Sequence, residues 1–178
     1  VGRALWNVVE SADWRYRNVA VAQTIIQTLT LRLAEPMKPR THPPASVRRQ
    51  PNPLTVLDHL DLTKTLDDEA YETKQNRYWS RLAKLSWKAH KSGLSSVMVF
   101  EGWDAAGKGG AIRRLTKPLD AARYPVVPIP APSEEERAHH YLWRFWRRLP
   151  RSGHWTIFDR SWYGRVLVER LEGFATEE

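Results

Sequence analysis

An apolar run that passes straight into a glycine-rich loop constrains this chain more than any other feature. Residues 97–110 read Val97, Met98, Val99, Phe100, Glu101, Gly102, Trp103, Asp104, Ala105, Ala106, Gly107, Lys108, Gly109 and Gly110. Gly102 and Gly107–Lys108 keep the G-x-x-x-x-G-K spacing of a phosphate-binding loop. In such a loop the backbone N–H groups of residues 105–110 (Ala105, Ala106, Gly107, Lys108, Gly109, Gly110) turn inward, and the lysine reaches the outer phosphate oxygens. Two departures carry information. The residue after the lysine, ordinarily a Ser or Thr that holds Mg²⁺, is Gly109. A carboxylate, Asp104, stands inside the loop, where phosphate would repel it. Both are accounted for if Asp104 takes over the metal; the alternatives are an Asx turn, a surface carboxylate or an ion pair with Lys108.

The rest of the chain places this loop in a parallel sheet. An extended run follows at 124–129, and Ser133 with Glu136 forms a capping box that opens a predicted helix to about Leu149. A third strand, Trp155–Asp159, comes next, then a helix over about 163–172. Helix 109–117 separates the first two strands. The order β–loop–α–β–α–β is that of a parallel sheet with crossover helices. In such a sheet the carboxyl ends of the strands share one crevice, so Asp159 is expected beside the loop as a second magnesium ligand. Its alternative role is a helix N-cap. Arg113, Arg114, Arg123, Arg144, Arg160 and Arg165 surround these motifs. A planar guanidinium suits phosphate oxygens, and Arg160, next to Asp159, is the strongest candidate. Trp143, Phe145 and Trp146 read as core or interface, and His139 and His140 as weak catalytic candidates.

Upstream, residues 14–35 carry a helical stripe of Val19, Ala22, Ile25, Ile26, Leu29 and Leu33, and residues 67–91 carry another, stopped at Gly93. Residues 5–9 read as a short strand. Between the helices, residues 36–53 hold six prolines and no periodicity, a semi-rigid connector and a candidate domain boundary. The net charge of +8 is concentrated early: residues 1–53 hold eight Lys/Arg against three Asp/Glu. That excess is as well explained by a solvated linker as by a polyanion patch. With no cysteine, disulfides and thiolate metal sites are excluded, and a reducing cytoplasm is the expected setting. No apolar run approaches the ~20 residues of a membrane span.

Taken together, residues 102–110, Ile112–Thr116, Tyr141–Arg144, Pro150–Gly153 and Phe158–Arg165 resemble the polyphosphate kinase type 2 family over about residues 54–178. The resemblance implies an α/β, P-loop kinase-like parallel sheet with flanking helices and a mobile lid. It implies Mg²⁺-dependent transfer of a phosphoryl group between inorganic polyphosphate and a nucleotide, with no nucleic acid or membrane partner. Residues 5–16 are similar, more loosely, to the end of the same domain. That layout fits the tandem subgroup, whose members phosphorylate AMP to ADP. It implies a degenerate first domain ending at 1–35, the 36–53 linker, and the start of a catalytic domain at 54–178, truncated before the lid and last strands. A homo-oligomer is expected of the intact parent. Asp104, Lys108, Asp159 and Arg160 are the expected catalytic set, with Asp104 and Asp159 on the metal. Gly102, the loop amides, Arg113, Arg114, Arg123 and Arg165 are the expected phosphate contacts. The rival readings are an ATP-dependent nucleotide kinase of thymidylate-kinase type and a non-catalytic polyanion-binding module.

Overall fold

The computed structural model describes residues 7–35 and 59–164. The chain divides into two compact units, Val1–Arg81 and Leu82–Glu178. In the first, α1 (Trp14–Ala34) starts at Asp13, whose carboxylate caps it by accepting the Arg15 amide at 2.7 Å. The same carboxylate accepts the Leu66 amide at 2.8 Å, the main reason its pKa lies below the ordinary aspartate value. Val19, Ala22, Ile26 and Leu29 are buried at the three- and four-residue spacing that their periodicity predicts. Residues from beyond the connector complete this unit. Lys64 pairs with Glu10 at 2.7 Å, Arg15 with Asp68 at 2.5 Å, and Trp14 sets its ring edge-on to Tyr71 with centroids 5.0 Å apart.

The strand expected over 5–9 is not seen at Asn7–Val9, which have no ladder partner among the described residues; Leu5 and Trp6 lie outside them. The 36–53 connector also lies outside the described residues. A boundary there is a proposal about tandem organisation, because the compact units divide inside α2 (Asp68–Lys91).

In the second unit, the last part of α2 buries Leu82 and Ala89 completely. It stops at Gly93, whose φ of +67° is the left-handed turn that ends many helices. Then come β1 (Ser96–Phe100), α3 (Lys108–Thr116), β2 (Val126–Pro128), α4 (Glu134–Arg137), α5 (Trp143–Trp146) and β3 (Trp155–Asp159). The three strands are parallel in the order β1-β3-β2, with Phe100 and Pro128 both opposite Asp159. All three carboxyl ends therefore finish level.

As the middle strand, β3 reads as a continuous apolar run, and Trp155 through Phe158 are buried. Burial of side chains such as Ile157 and Phe158 contributes about 2 kcal/mol each. Thr156 is tolerated there because its hydroxyl donates to the Arg148 carbonyl at 2.8 Å. Ala111, Ile112 and Leu115 of α3 and Phe145 of α5 also belong to the buried set. Phe145 meets Phe158 and Trp162 edge-on, at 5.8 and 5.6 Å between centroids.

The helix predicted from Ser133 to Leu149 is two short helices instead. Its start is as expected: Ser133 and Glu136 exchange both capping-box bonds. The run His139-His140-Tyr141 then breaks it, since three successive ring side chains lose rotamer freedom in a helix. His140 Nδ1 takes the Leu142 amide at 3.3 Å, replacing a helical bond. The helix expected over 163–172 falls almost wholly outside the described residues. No described helix is long and apolar enough to cross a membrane.

Candidate active site

In the loop between β1 and α3 the Ala106 amide, one of those expected to face phosphate, donates instead to the Trp103 carbonyl at 3.2 Å, and the donors left are those at the helical end of the loop. Gly107 caps α3 from the left-handed region, at φ +84°, and supplies no side-chain acceptor. The first amide to bond back into the helix is that of Ala111, which reaches the Gly107 carbonyl at 3.0 Å. The amides of Lys108, Gly109 and Gly110 precede it, so they are first-turn donors at the positive end of a helix dipole, the arrangement that binds phosphate. Lys108 folds over the loop, its Nζ donating to the carbonyls of Gly102 and Trp103 at 2.8 and 2.9 Å. Gly102 sits at φ +151°, which an L side chain rarely adopts.

The end of β3 meets this loop. The Arg160 amide extends the ladder to the Phe100 carbonyl at 3.0 Å. The chain then turns sharply, with Arg160 itself at φ +69°. For a non-glycine residue this costs roughly 1–2 kcal/mol. The turn presents the guanidinium to the Asp104 carboxylate, and the two form an ion pair. Ala105, beside Asp104, is the other described non-glycine residue at positive φ, +64°. Such outliers concentrate at functional sites.

These groups surround an open cleft of about 620 Å³, lined by Asp104, Ala105, Gly107, Lys108, Gly109, Asp159 and Arg160. Its remaining wall is the end of β2 and the residues after it, Pro128 to Ala131. The four residues expected to be catalytic thus converge on one cavity from two strand ends. Asp159 is half-buried, and its carboxylate has no hydrogen bond or ion pair among the described residues. The amide at the start of the next turn, that of Tyr163, is taken by Ser161 Oγ at 3.3 Å, so the capping alternative for Asp159 is filled by Ser161. No group of three or more His, Cys, Asp or Glu that could hold a metal occurs among the described residues.

The other arginines part company. Arg114 donates to the Gly110 carbonyl at 3.2 Å, and Arg113 is exposed on α3; neither lines the cleft. Arg123, expected to contact phosphate, does not line the cleft and lies toward the opposite end of the sheet. It pairs with Asp120 at 2.8 Å and lies over the Trp87 ring at 4.4 Å, near the amino ends of β2 and β3. Arg144 is a scaffold residue: it donates to the Pro130 carbonyl at 2.9 Å and pairs with Glu136 at 3.3 Å, holding the cleft wall. Arg165 lies outside the described residues. His139 and His140 stack on Trp143 and Trp146, away from the cleft lining. Trp146 is half exposed, so of the three aromatic residues read as core or interface, Phe145 alone is buried.

Sequence reasoning missed the wall at Pro128–Ala131 and the pair Glu101 and Ser161, which hydrogen-bond at 2.7 Å. A strand ending level with the loop strand was the signal for the first. A serine shortly after Asp159, at the start of a helical pattern, was the signal for the second.

The sequence profile of the family described as polyphosphate kinase 2 (PPK2) matches residues 65–178. A polyphosphate:AMP phosphotransferase of Pseudomonas aeruginosa is 50% identical over 96% of this chain, and one of Pseudomonas syringae pv. tomato is 46% identical over 98%. In both cases the chain spans only 35% of the relative's own length. A crystal structure of a polyphosphate kinase 2 from Pseudomonas aeruginosa superposes with a TM-score of 0.66 at 48% identity. It covers 96% of this chain and 34% of that one. The profile takes in more than half of the chain, and every residue of the cleft falls inside it: the chain belongs to the polyphosphate kinase 2 family.

Proposed function

We propose that this chain carries the transfer site of a polyphosphate-driven nucleotide phosphotransferase, with AMP as acceptor and ADP as product. The observation that carries the reading is the convergence of a phosphate loop and an Asp-Arg strand end on one cleft. The acceptor follows from the names of the two Pseudomonas relatives, both polyphosphate:AMP phosphotransferases.

The donor set of the cleft fits Mg²⁺. Asp104 and Asp159 offer hard carboxylate oxygens, and the second has no partner among the described residues. Magnesium is commonly held by one or two carboxylates, with waters and substrate phosphates completing the shell. Gly109 offers no side-chain oxygen, so Asp104 supplies what a Ser or Thr would. Bound there, the ion would offset the charge of the phosphates flanking the transferred group.

The chain's own residues account for the remaining work. The amides of Lys108, Gly109 and Gly110 hold a terminal phosphate. Lys108 exchanges its two loop carbonyls for phosphate oxygens. Arg160 exchanges Asp104 for the equatorial oxygens of the moving phosphoryl group, where its planar fork matches the developing charge. The acceptor phosphate is largely ionised near neutral pH, so no strong general base is needed.

The test is direct. Full-length protein incubated with Mg²⁺, AMP and polyphosphate in an ATP-free mixture should form ADP. Formation of ADP only when ATP is the donor would sink this reading and favour an ordinary nucleotide kinase.

A further inference from the structure

We propose that Glu101 and Ser161 form a positioning clasp that aims Arg160 at the transferring phosphoryl group, a role that rests on the phosphotransfer reading of the same cleft. Glu101 is the residue before the first loop glycine, and Ser161 the residue after Arg160. Ser161 is 3% exposed, and both capacities of its hydroxyl are used. It donates to Glu101 Oε1 at 2.7 Å and accepts the Tyr163 amide at 3.3 Å. Its carbonyl takes the Gly164 amide at 3.1 Å. Glu101 is half-buried and does not line the cleft. The Ser161 hydroxyl is its side chain's one partner among the described residues.

Arg160 stands between two fixed points. On one side its amide is tied to the Phe100 carbonyl, immediately before Glu101. On the other side Ser161 is tied to Glu101 itself. A residue so bracketed has to turn within a single set of dihedrals, and Arg160 does so at φ +69°. A conformation that an arginine does not favour persists when its surroundings over-determine it. The clasp is that surrounding structure. Releasing it lets the backbone relax toward extended geometry, which swings the guanidinium away from Asp104. The same bond joins the start of the phosphate loop to the end of β3, so the two halves of the site keep one spacing. Neither residue touches substrate in this account; both act through Arg160.

The experiment is a set of variants in the full-length protein, assayed for kcat and KM with whichever phosphoryl donor the wild-type protein turns over. Ser161→Ala should lower kcat at least tenfold with KM for donor and acceptor changed less than threefold. Glu101→Ala should match it. Glu101→Gln, which still offers an oxygen to the Ser161 hydroxyl, should stay within about threefold of wild type. The Glu101→Ala/Ser161→Ala double variant should be no worse than either single one, because both remove the same bond. On an Arg160→Ala background, Ser161→Ala should cost nothing more. A structural role would not produce that last result. Should Ser161→Ala not fold, the Glu101 pair on both backgrounds carries the same comparison. The clasp is overturned if Glu101→Gln is as defective as Glu101→Ala, or if the loss persists undiminished without Arg160. Wild-type turnover with ATP but not polyphosphate would remove the functional reading while leaving the variant pattern to decide the clasp.

Discussion

Arg160 meets two demands at once: a left-handed backbone and a guanidinium held over the carboxylate of the loop. Lysine at this position keeps the charge and loses the fork, so Arg160→Lys should fall nearly as far as Arg160→Ala in polyphosphate-driven ADP formation. Recovery of most activity by lysine would reduce Arg160 to a diffuse positive charge. The sequence placed this residue at the cleft because Asp159 ends an apolar run, and whatever follows a middle strand's carboxyl end faces the crevice. Arg123 shows the converse. It precedes its strand, so it belongs to the amino end, near Asp120 and Trp87, and an arginine count around a motif does not register that direction. The Glu101–Ser161 bond was invisible for a related reason. It depends on the parallel register that sets Phe100 opposite Asp159, and no local pattern states a register.

Among the elements, the three strands of the sheet and the loop helix were legible, whereas the short strand expected over 5–9 and the long helix predicted after Ser133 are not seen as such among the described residues. The capping box is a local signal, and it was honoured for one turn. What ended the helix was the His139-His140-Tyr141 run, which a search for apolar periodicity reads straight through. The glycines divide in the same way. Gly153 precedes β3 at φ +71°, and a Cβ there would meet the His90 carbonyl oxygen at 2.7 Å. Gly109 lies in the first turn of α3, where a Cβ would meet nothing within 4 Å. Gly153→Ala should therefore destabilise by about 2–3 kcal/mol, and Gly109→Ala should be neutral or stabilise by up to ~1 kcal/mol. Urea unfolding of the two variants beside wild type measures both. Equal midpoints would show that the turn before β3 yields more readily than its geometry indicates. The resemblance over Pro150–Gly153 thus includes a turn packed on the end of α2.

At the scale of the whole molecule, the chain spans about a third of its Pseudomonas relatives, so the question is whether this cleft performs the transfer in the full-length protein. The proposed transfer rests on one substitution of roles, Asp104 for the missing hydroxyl at Gly109. That substitution can be reversed, because Gly109 has open space for a side chain. The measurement is the Mg²⁺ dependence of ADP formation from AMP and polyphosphate by full-length wild type, Asp104→Asn and Asp104→Asn/Gly109→Ser. Asp104→Asn should lower turnover at least a hundredfold, a loss of about 2.7 kcal/mol of transition-state stabilisation. Raised Mg²⁺ should recover part of it, and the added serine should shift that recovery to lower Mg²⁺. Near-wild-type kinetics for Asp104→Asn, with an unchanged Mg²⁺ dependence, would contradict the account.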